Sequence, residues 1–337
     1  MNICSDCDIL QFQKMLLGSG KMADLEQNNE YVKVAYYYYK TGLTQDEIAK
    51  KMFMSRQRVN RILKKCLELG IVKISIQECE QRDVELETQL EMMLGINEIL
   101  VVEIAPNDDP YAPVGSVAAN YLNRIIQNDS IIGFSRGRAL SAVVDRLMAT
   151  DKTNVTVTQL VGGLNAEEAV INSDSIVHRA AENLNAKPCF MYAPIVLENK
   201  KLRDALMKED IYQQAYQSMK ACTIALVGIG DRSQVFNSRY PNFISDTERE
   251  CLNRDHAVGE VCTHYFDIDG KLIQSGIEDR VLAIDYDSLL KIPFRIGVAC
   301  GVEKVQAMIG AVRGRFINVL ITDKETARKL KAALTSK

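Results

Sequence analysis

Residues 44–73, TQDEIAKKMFMSRQRVNRILKKCLELGIVK, decide what the N-terminal part of this chain is. Thr44-Gln-Asp-Glu47 has the S/T-x-x-E form of a capping box, where a hydroxyl and a carboxylate satisfy two orphan amides at a helix start. The helix it opens carries Ile48, Ala49 and Met52 on one face. Ser55 then caps a second helix after a turn of only a few residues. In that helix Val59, Ile62, Leu63, Cys66 and Leu67 recur at the spacing of a buried stripe. Gln57, Asn60, Arg61 and Lys64 share the opposite face. Gly70 stops the helix, and IVKISI (71–76) reads as a strand, which would be a wing. Upstream, Tyr31–Lys40 is an apolar and aromatic stretch of helical length, closed by Gly42.

Two short helices joined by a tight turn, the second presenting polar and basic groups, have helix-turn-helix geometry. Residues 44–73 hold eight cations against three anions, in a chain whose formal net charge is −3. The basic charge is therefore segregated into one small module. A solvated charged helix in a bundle would also expose Lys and Arg. It does not explain why Arg, Gln and Asn stand together, the side chains able to make bidentate contacts with guanine and adenine edges. Gln45, Arg56, Gln57, Arg58, Asn60, Arg61, Lys64 and Lys65 form the candidate interface with double-stranded DNA.

The chain has 337 residues, 47% of them apolar and 25% charged, which suits about two soluble globular domains. No apolar run approaches the ~18 residues of a membrane span, and MNICSDCDIL lacks the layout of a secretory signal. A cytoplasmic protein with no membrane partner is expected. Nine scattered cysteines read as reduced thiols, not a disulfide framework. Cys4 and Cys7 form a lone CxxC; without a second ligand pair no metal site is expected. Residues 1–28 read as a disordered N-terminal extension and 29–76 as the helix-turn-helix domain. Residues 77–95 read as a linker running into an amphipathic helix through Val84, Leu86, Leu90, Met93 and Leu94, and 96–337 as a second domain.

From residue 98 the texture changes. Short β-branched runs (EILVVEI, SIIGF, VTVTQLV, PCFMYA, CTIALVG, RVLAIDY, PFRIGVA, INVLIT) alternate with helical-period segments at about 114–127, from Arg138, from Val302 and over 323–334. This is the pattern of an α/β fold with a mainly parallel sheet covered on both faces. Several strands run into glycines: Ser135-Arg136-Gly137-Arg138, Gly162-Gly163, Gly228-Ile-Gly230-Asp231, and Gly301 followed by Lys304. In open α/β sheets ligands bind beyond the carboxyl ends of the strands. Glycine lets backbone approach a ligand, and Arg136, Arg138 and Lys304 add cations suited to a phosphate or another small anion. Ordinary turn chemistry accounts for such glycines equally well, one loop at a time. None of the loops has P-loop or G-x-G-x-x-G spacing, so nucleotide binding is not indicated.

The chain from about Tyr31 to Leu334 resembles the SorC family of transcriptional regulators, also described as DeoR-like sugar-binding regulators. The resemblance rests on VAYYYYKTGLTQDEIAKKMFMSRQRVNRILKKCLELGIVKISI, IIGFSRGRAL, QLVGG, ALVGIGD, HAVGEVCTHYFDIDGK and IPFRIGVACGVEKVQAMIGAVRGRFINVLITDKETA, in that order. It implies a winged helix-turn-helix followed by an effector domain resembling sugar-phosphate isomerases and deaminases. It also implies a homotetramer, a sugar or phosphorylated sugar as effector, control of a carbohydrate-related operon, and no cofactor. By that resemblance Ser135, Arg136, Gly137 and Arg138 would hold the effector's phosphate and Lys304 would pair with it. Asp267 would bond sugar hydroxyls, and Asp231, Gly162 and Gly163 would line the pocket. The chain departs from the family pattern at Ala139, where a threonine is common, at Arg136, where an aromatic is common, and at Cys300-Gly301, where two glycines are usual.

A working sugar-phosphate isomerase or deaminase with a DNA module attached is the rival reading, and a protein-interaction module with a degenerate pocket is a third. Proton transfer at sugar carbons needs a poised carboxylate or histidine. The candidates are His178, His256, His264, Glu260 and Asp267, and each has a structural or hydroxyl-binding role open to it. No catalytic residue is assigned.

Overall fold

Thr44 and Glu47 close the capping box: Glu47 N donates to Thr44 Oγ1 (3.3 Å) and Thr44 N to Glu47 Oε2 (2.8 Å). The computed structural model describes residues 19–73, 83–105, 108–164, 169–231 and 244–335. They divide into two units, Met1–Gln77 and Glu78–Lys337.

In the first unit α1 (Ser19–Tyr39), α2 (Gln45–Lys51) and α3 (Arg56–Glu68) enclose a small core of Tyr31, Val34, Ala35, Ile48, Ala49, Val59, Ile62, Leu63 and Cys66. Ser55 caps α3 by accepting from Arg58 N at 3.2 Å. The expected stripe is buried except at its end, where Leu67 is exposed. The expected wing strand lies largely outside the described residues, as do Cys4 and Cys7.

The second unit opens with α4 (Val84–Leu94), capped by Asp83, which accepts from Leu86 N at 3.1 Å. Along the chain follow β1 (Glu98–Val102), α5 (Tyr111–Ile125), β2 (Ile131–Phe134), α6 (Arg138–Val144), β3 (Thr156–Gln159), α7 (Ser173–Leu184) and β4 (Lys187–Cys189). Then come α8 (Lys200–Leu206), α9 (Asp210–Lys220), β5 (Ile224–Gly228), β6 (Gly230–Asp231), α10 (Asp246–Arg254), β7 (Gly259–Val261) and β8 (His264–Phe266). The chain ends with α11 (Tyr286–Lys291), β9 (Phe294–Val298), α12 (Val305–Arg313), β10 (Val319–Asp323) and α13 (Lys324–Thr335).

Seven strands form one parallel sheet in the order β1-β10-β9-β5-β2-β3-β4. Helices cover both faces, so the strands are apolar on both sides and bury two separate clusters. The chain builds outward from β2 through β3 to β4, then returns to β5 and builds the other way through β9 to β10. The order reverses between β2 and β5, the kind of switch point that opens a crevice at the carboxyl ends of the strands.

Three parts of the sequence reading are corrected. RVLAIDY is not a strand of the sheet. It runs antiparallel across residues 160–162 and 195–197, with isolated bridges at Val161–Ala283 and Val196–Val281. PCFMYA leaves the sheet after Cys189, because Met191 N donates to Gln159 Oε1 (2.7 Å) and Tyr192 takes a positive φ of 48°. An antiparallel sheet of β6, β7 and β8 was not expected; its strands are too short to leave an alternation pattern. Its β7–β8 turn puts Cys262 and Thr263 both at positive φ (51° and 67°) without a glycine, held by Thr263 N donating to Glu260 Oε2 at 2.8 Å.

Candidate functional site

The loops after β2, β5 and β9 meet at the switch point. Ser135, 3% exposed, follows β2 and accepts from Gly228 N at the end of β5 (3.0 Å). Gly137 then takes φ +122°, outside the range of side-chain-bearing residues, and starts α6. After β9, Gly301 (φ +111°) turns the chain into a single 3₁₀ turn, Val302–Lys304, ahead of α12. Lys304 is only 8% exposed, and its Nζ donates to Ile229 O at 2.9 Å. Burial depresses the Lys304 pKa, while the adjacent negative charge of Asp231, itself 3% exposed, opposes that shift.

Two arginines flank this cluster in different directions. Arg138 lays its guanidinium over the Tyr111 ring, 4.9 Å from the centroid, and its charge reaches Lys304. Beside it a cleft of about 280 Å³ opens between α5 and α6, lined by Tyr111, Arg138, Ser141, Asp145 and Arg146 among others. The half-buried Arg136 places its charge toward Cys262 and Tyr265 of the β7–β8 hairpin. Ala139 is buried and offers no hydroxyl. The Cys300 thiol beside Gly301 is pushed up to about 12 by burial and then by Asp323, so it stays a neutral packing group.

Three expected pocket residues are engaged in bonds of their own. Gly162 N donates to Leu282 O, and a Cβ there would lie 2.8 Å from Ala193 O and the Ile195 backbone. Gly163 exchanges both its backbone bonds with Ala193 and Ile195. These glycines join strands; their amides are spent. The β7–β8 register pairs Gly259 with Phe266, which sets Asp267 against Gly310, about 9 Å along α12 from Lys304 at 1.5 Å per residue. Its Oδ1 accepts from Asp269 N (3.0 Å) and Lys271 N (2.9 Å), forming its own turn.

Sequence reasoning missed the residues that hold the loops. Gln159 Nε2 donates to Ser173 Oγ (2.8 Å), which donates to Gly162 O (3.0 Å). Asp323 and Thr326 receive the Gly301 amide, at 3.2 and 3.0 Å. The Asp-Lys-Glu-Thr run after an apolar strand was the available signal, since an Asp at a helix start and a hydroxyl three residues on cap together. Tyr111 left no signal; only folding places it against Arg138.

In the first unit Gln57, Asn60, Arg61, Lys64 and Lys65 of α3 are exposed, and Gln45 at the start of α2 is half-buried. Two arginines are shared with the scaffold. Arg58 donates to Glu30 of α1 (3.0 Å), and Arg56 lies 3.4 Å from Asp46. Both pairings reach between helices, so local spacing does not reveal them.

A helix-turn-helix unit, followed in the chain by a parallel-sheet domain whose strand ends converge on buried charge, defines a DNA-binding regulator with a ligand-binding domain. A family profile described as "Putative sugar-binding domain" matches residues 79–331, and one described as "Sigma-70, region 4" matches 33–68. The chain belongs to the SorC family of sugar-binding transcriptional regulators. It is 30% identical over 303 residues to the sorbitol operon regulator of Klebsiella pneumoniae, covering 89% of this chain and 96% of that one. It is 28% identical to the deoxyribonucleoside regulator of Bacillus subtilis (strain 168), covering 91% and 98%. The crystal structure of the full-length Klebsiella regulator superposes with a TM-score of 0.69 at 29% identity, over 90% of this chain and 98% of that one. A transcriptional regulator from Streptococcus pneumoniae TIGR4 gives 0.70 at 29%, over 74% and 97%.

Proposed function

We propose that this protein regulates a carbohydrate-related operon by binding operator DNA through α3 and an anionic, sugar-derived effector at the β2–β5 switch point. Gln57, Asn60 and Arg61 read base edges, while Lys64, Lys65, Arg56 and Gln45 hold the phosphate backbone. Arg58 acts mainly as scaffold. Ser135, Arg136, Gly137, Arg138 and Lys304 hold the effector's anionic group, with Asp231 at the margin for hydroxyls.

The observation that carries this reading is Lys304. A nearly buried ammonium is costly unless it is compensated; beyond the Ile229 carbonyl and the Asp231 charge, Lys304 feels the like charge of Arg138, which an anion at the site would offset. The relatives named for sorbitol and for deoxyribonucleosides support a carbohydrate-derived ligand. The protein works as a homotetramer in the cytoplasm, where two spaced recognition helices meet two operator half-sites. Among the described residues no helix is long and apolar enough to cross a membrane.

The site binds and does not catalyse. His178 is exposed and pairs with Glu182, His256 is exposed, and the half-buried His264 is bonded to Ile284 O. Glu260 holds the turn of its own hairpin. Titration calorimetry with a panel of free sugars, sugar phosphates and inorganic phosphate, on wild type and Lys304→Ala, tests the assignment. Binding that depends on phosphate and on Lys304 supports it; equal binding of free sugars by both proteins removes the anion site.

A further inference from the structure

The helix start that holds the Lys304 turn also holds the first described residue after the segment leading from the DNA-binding unit. Asp323 ends β10 and Lys324 begins α13, so the two are adjacent in the chain. On one side, Asp323 Oδ2 and Thr326 Oγ1 receive the Gly301 amide, and Asp323 also takes Thr326 N and Oγ1. Both are buried, Asp323 at 7% exposed and Thr326 at 0%. On the other side, Lys324 Nζ lies 3.4 Å from Asp83 Oδ2 and also pairs with Glu103. Asp83 is the N-cap of α4.

Helix α4 in turn is fastened to the edge of the sheet. Glu87 Oε1 accepts from Val101 N and Glu91 Oε1 from Ile99 N, both at 2.8 Å, so two helix carboxylates satisfy amides of the edge strand β1. Gln89 of α4 is bonded to Lys331 of α13. Most of α4 is thus fixed to the sheet and to α13. At its N-terminal end Leu86 packs into the core, while the cap itself is tied to α13 by the polar, partly exposed pair of Asp83 and Lys324.

We propose that Lys324 couples the effector turn to the start of α4, so that ordering Gly301–Lys304 around an anion shifts the Asp323–Lys324 step and, through Asp83, the point where the DNA-binding segment joins. The inference rests on the effector reading above. It adds a route by which occupancy of the switch-point site reaches the start of α4 through one ion pair. Lys324 is a positioning residue and touches no ligand.

Hydrogen exchange on the full-length protein tests the route, with inorganic phosphate and a panel of aldose and ketose monophosphates as probes. In wild type, a saturating probe should slow exchange at 301–305 and at 84–90, each by about fivefold or more. In Lys324→Met the slowing at 301–305 should persist, while that at 84–90 falls to within about twofold. Asp83→Asn should behave alike, because asparagine keeps the cap and loses only the charge. Glu103→Gln, which removes the other partner of Lys324, should keep both responses. A response at 84–90 that survives in Lys324→Met and Asp83→Asn, or that is missing in wild type while 301–305 responds, overturns the coupling. If no probe slows 301–305 in wild type, the effector reading itself fails and the coupling with it.

Discussion

Lys304 donates its ammonium proton to the carbonyl of Ile229 across 2.9 Å, joining the loop after β9 to the loop after β5. The contact fixes a cation at the point where the strand order reverses, and it does so at a cost in desolvation. Ligand affinity and the pH dependence of stability should therefore both respond to Lys304.

Lys304→Ala should lower affinity for a phosphorylated effector by on the order of 2–3 kcal/mol, through loss of one charge-assisted contact. Operator affinity without effector should stay within twofold or so, since the residue lies in the other unit. Asp267→Asn, by contrast, should leave effector affinity unchanged and loosen the turn that holds Lys271 N. Calorimetry on both variants decides; a loss in Asp267→Asn as large as in Lys304→Ala would put the pocket nearer the β7–β8 hairpin.

The depressed pKa of Lys304 has a sign that can be measured. Between its folded pKa and the unfolded value of 10.5 the unfolded chain binds the extra proton, so stability rises with pH there. Lys304→Met, which cannot titrate, should lack this rise, so the stability of wild type relative to the variant should increase with pH toward 10.5. Denaturant melts of both proteins across that range give the curve, and a wild-type stability that falls relative to the variant with rising pH would contradict the burial argument.

Phe53 sits in the turn between α2 and α3 at φ +54° and is 98% exposed. A side chain in the left-handed region costs roughly 1–2 kcal/mol, and an exposed ring has little packing to lose. Phe53→Gly should stabilise the first unit by ~1 kcal/mol after glycine's own entropy is counted. A lowered melting temperature would mean that the ring contributes contacts the turn geometry does not predict.

The capping box, the buried stripe of α3 and the parallel architecture were legible because each depends on residues within about two turns or one strand of each other. The loop cations Arg136, Arg138 and Lys304 were legible as charges next to glycines. What the sequence hid was partnership over distance. The pairing of Arg58 with Glu30, 28 positions away, and the close approach of Ala193 and Ile195 to Gly162 are visible only in the fold. The turn that Asp267 holds depends on the register of a hairpin with strands of three residues. RVLAIDY has strand composition but crosses the loops of other strands, a choice that only tertiary packing makes.

On the DNA face, Arg61→Ala should cost ~1–3 kcal/mol and relax preference at one base pair, while Lys64→Ala should weaken all sequences alike and reduce the salt slope by about one. Arg58→Ala should instead lower the stability of the first unit and leave base preference intact, because its guanidinium holds Glu30. Binding of full-length variants to duplexes selected by wild type from a random library, at several salt concentrations, separates the three. Relaxed specificity in Arg58→Ala would return that residue to the reading surface.

Arg280 and Glu248 form the most completely paired charges described in the second unit: Nε to Oε1 at 2.8 Å and Nη2 to Oε2 at 2.6 Å, with side chains 15% and 9% exposed. Glu248 also closes a capping box with Ser245 at the start of α10. Burial pushes the Glu248 carboxyl up, but the Arg280 and Ser245 hydrogen bonds outweigh it, and the net shift is below the ordinary 4.5. A depressed carboxylate contributes stability that is complete above its unfolded pKa and is lost as pH falls through the folded one. Glu248→Gln should therefore destabilise by roughly 3 kcal/mol at pH 7, leaving Arg280 buried without its counter-charge. The gap to wild type should close as pH drops below 4.5, where wild type protonates the same carboxyl. Paired melts of the two proteins from pH 7 to pH 3 measure this directly, and a gap that stays constant across the range would show that the side chain acts through packing alone.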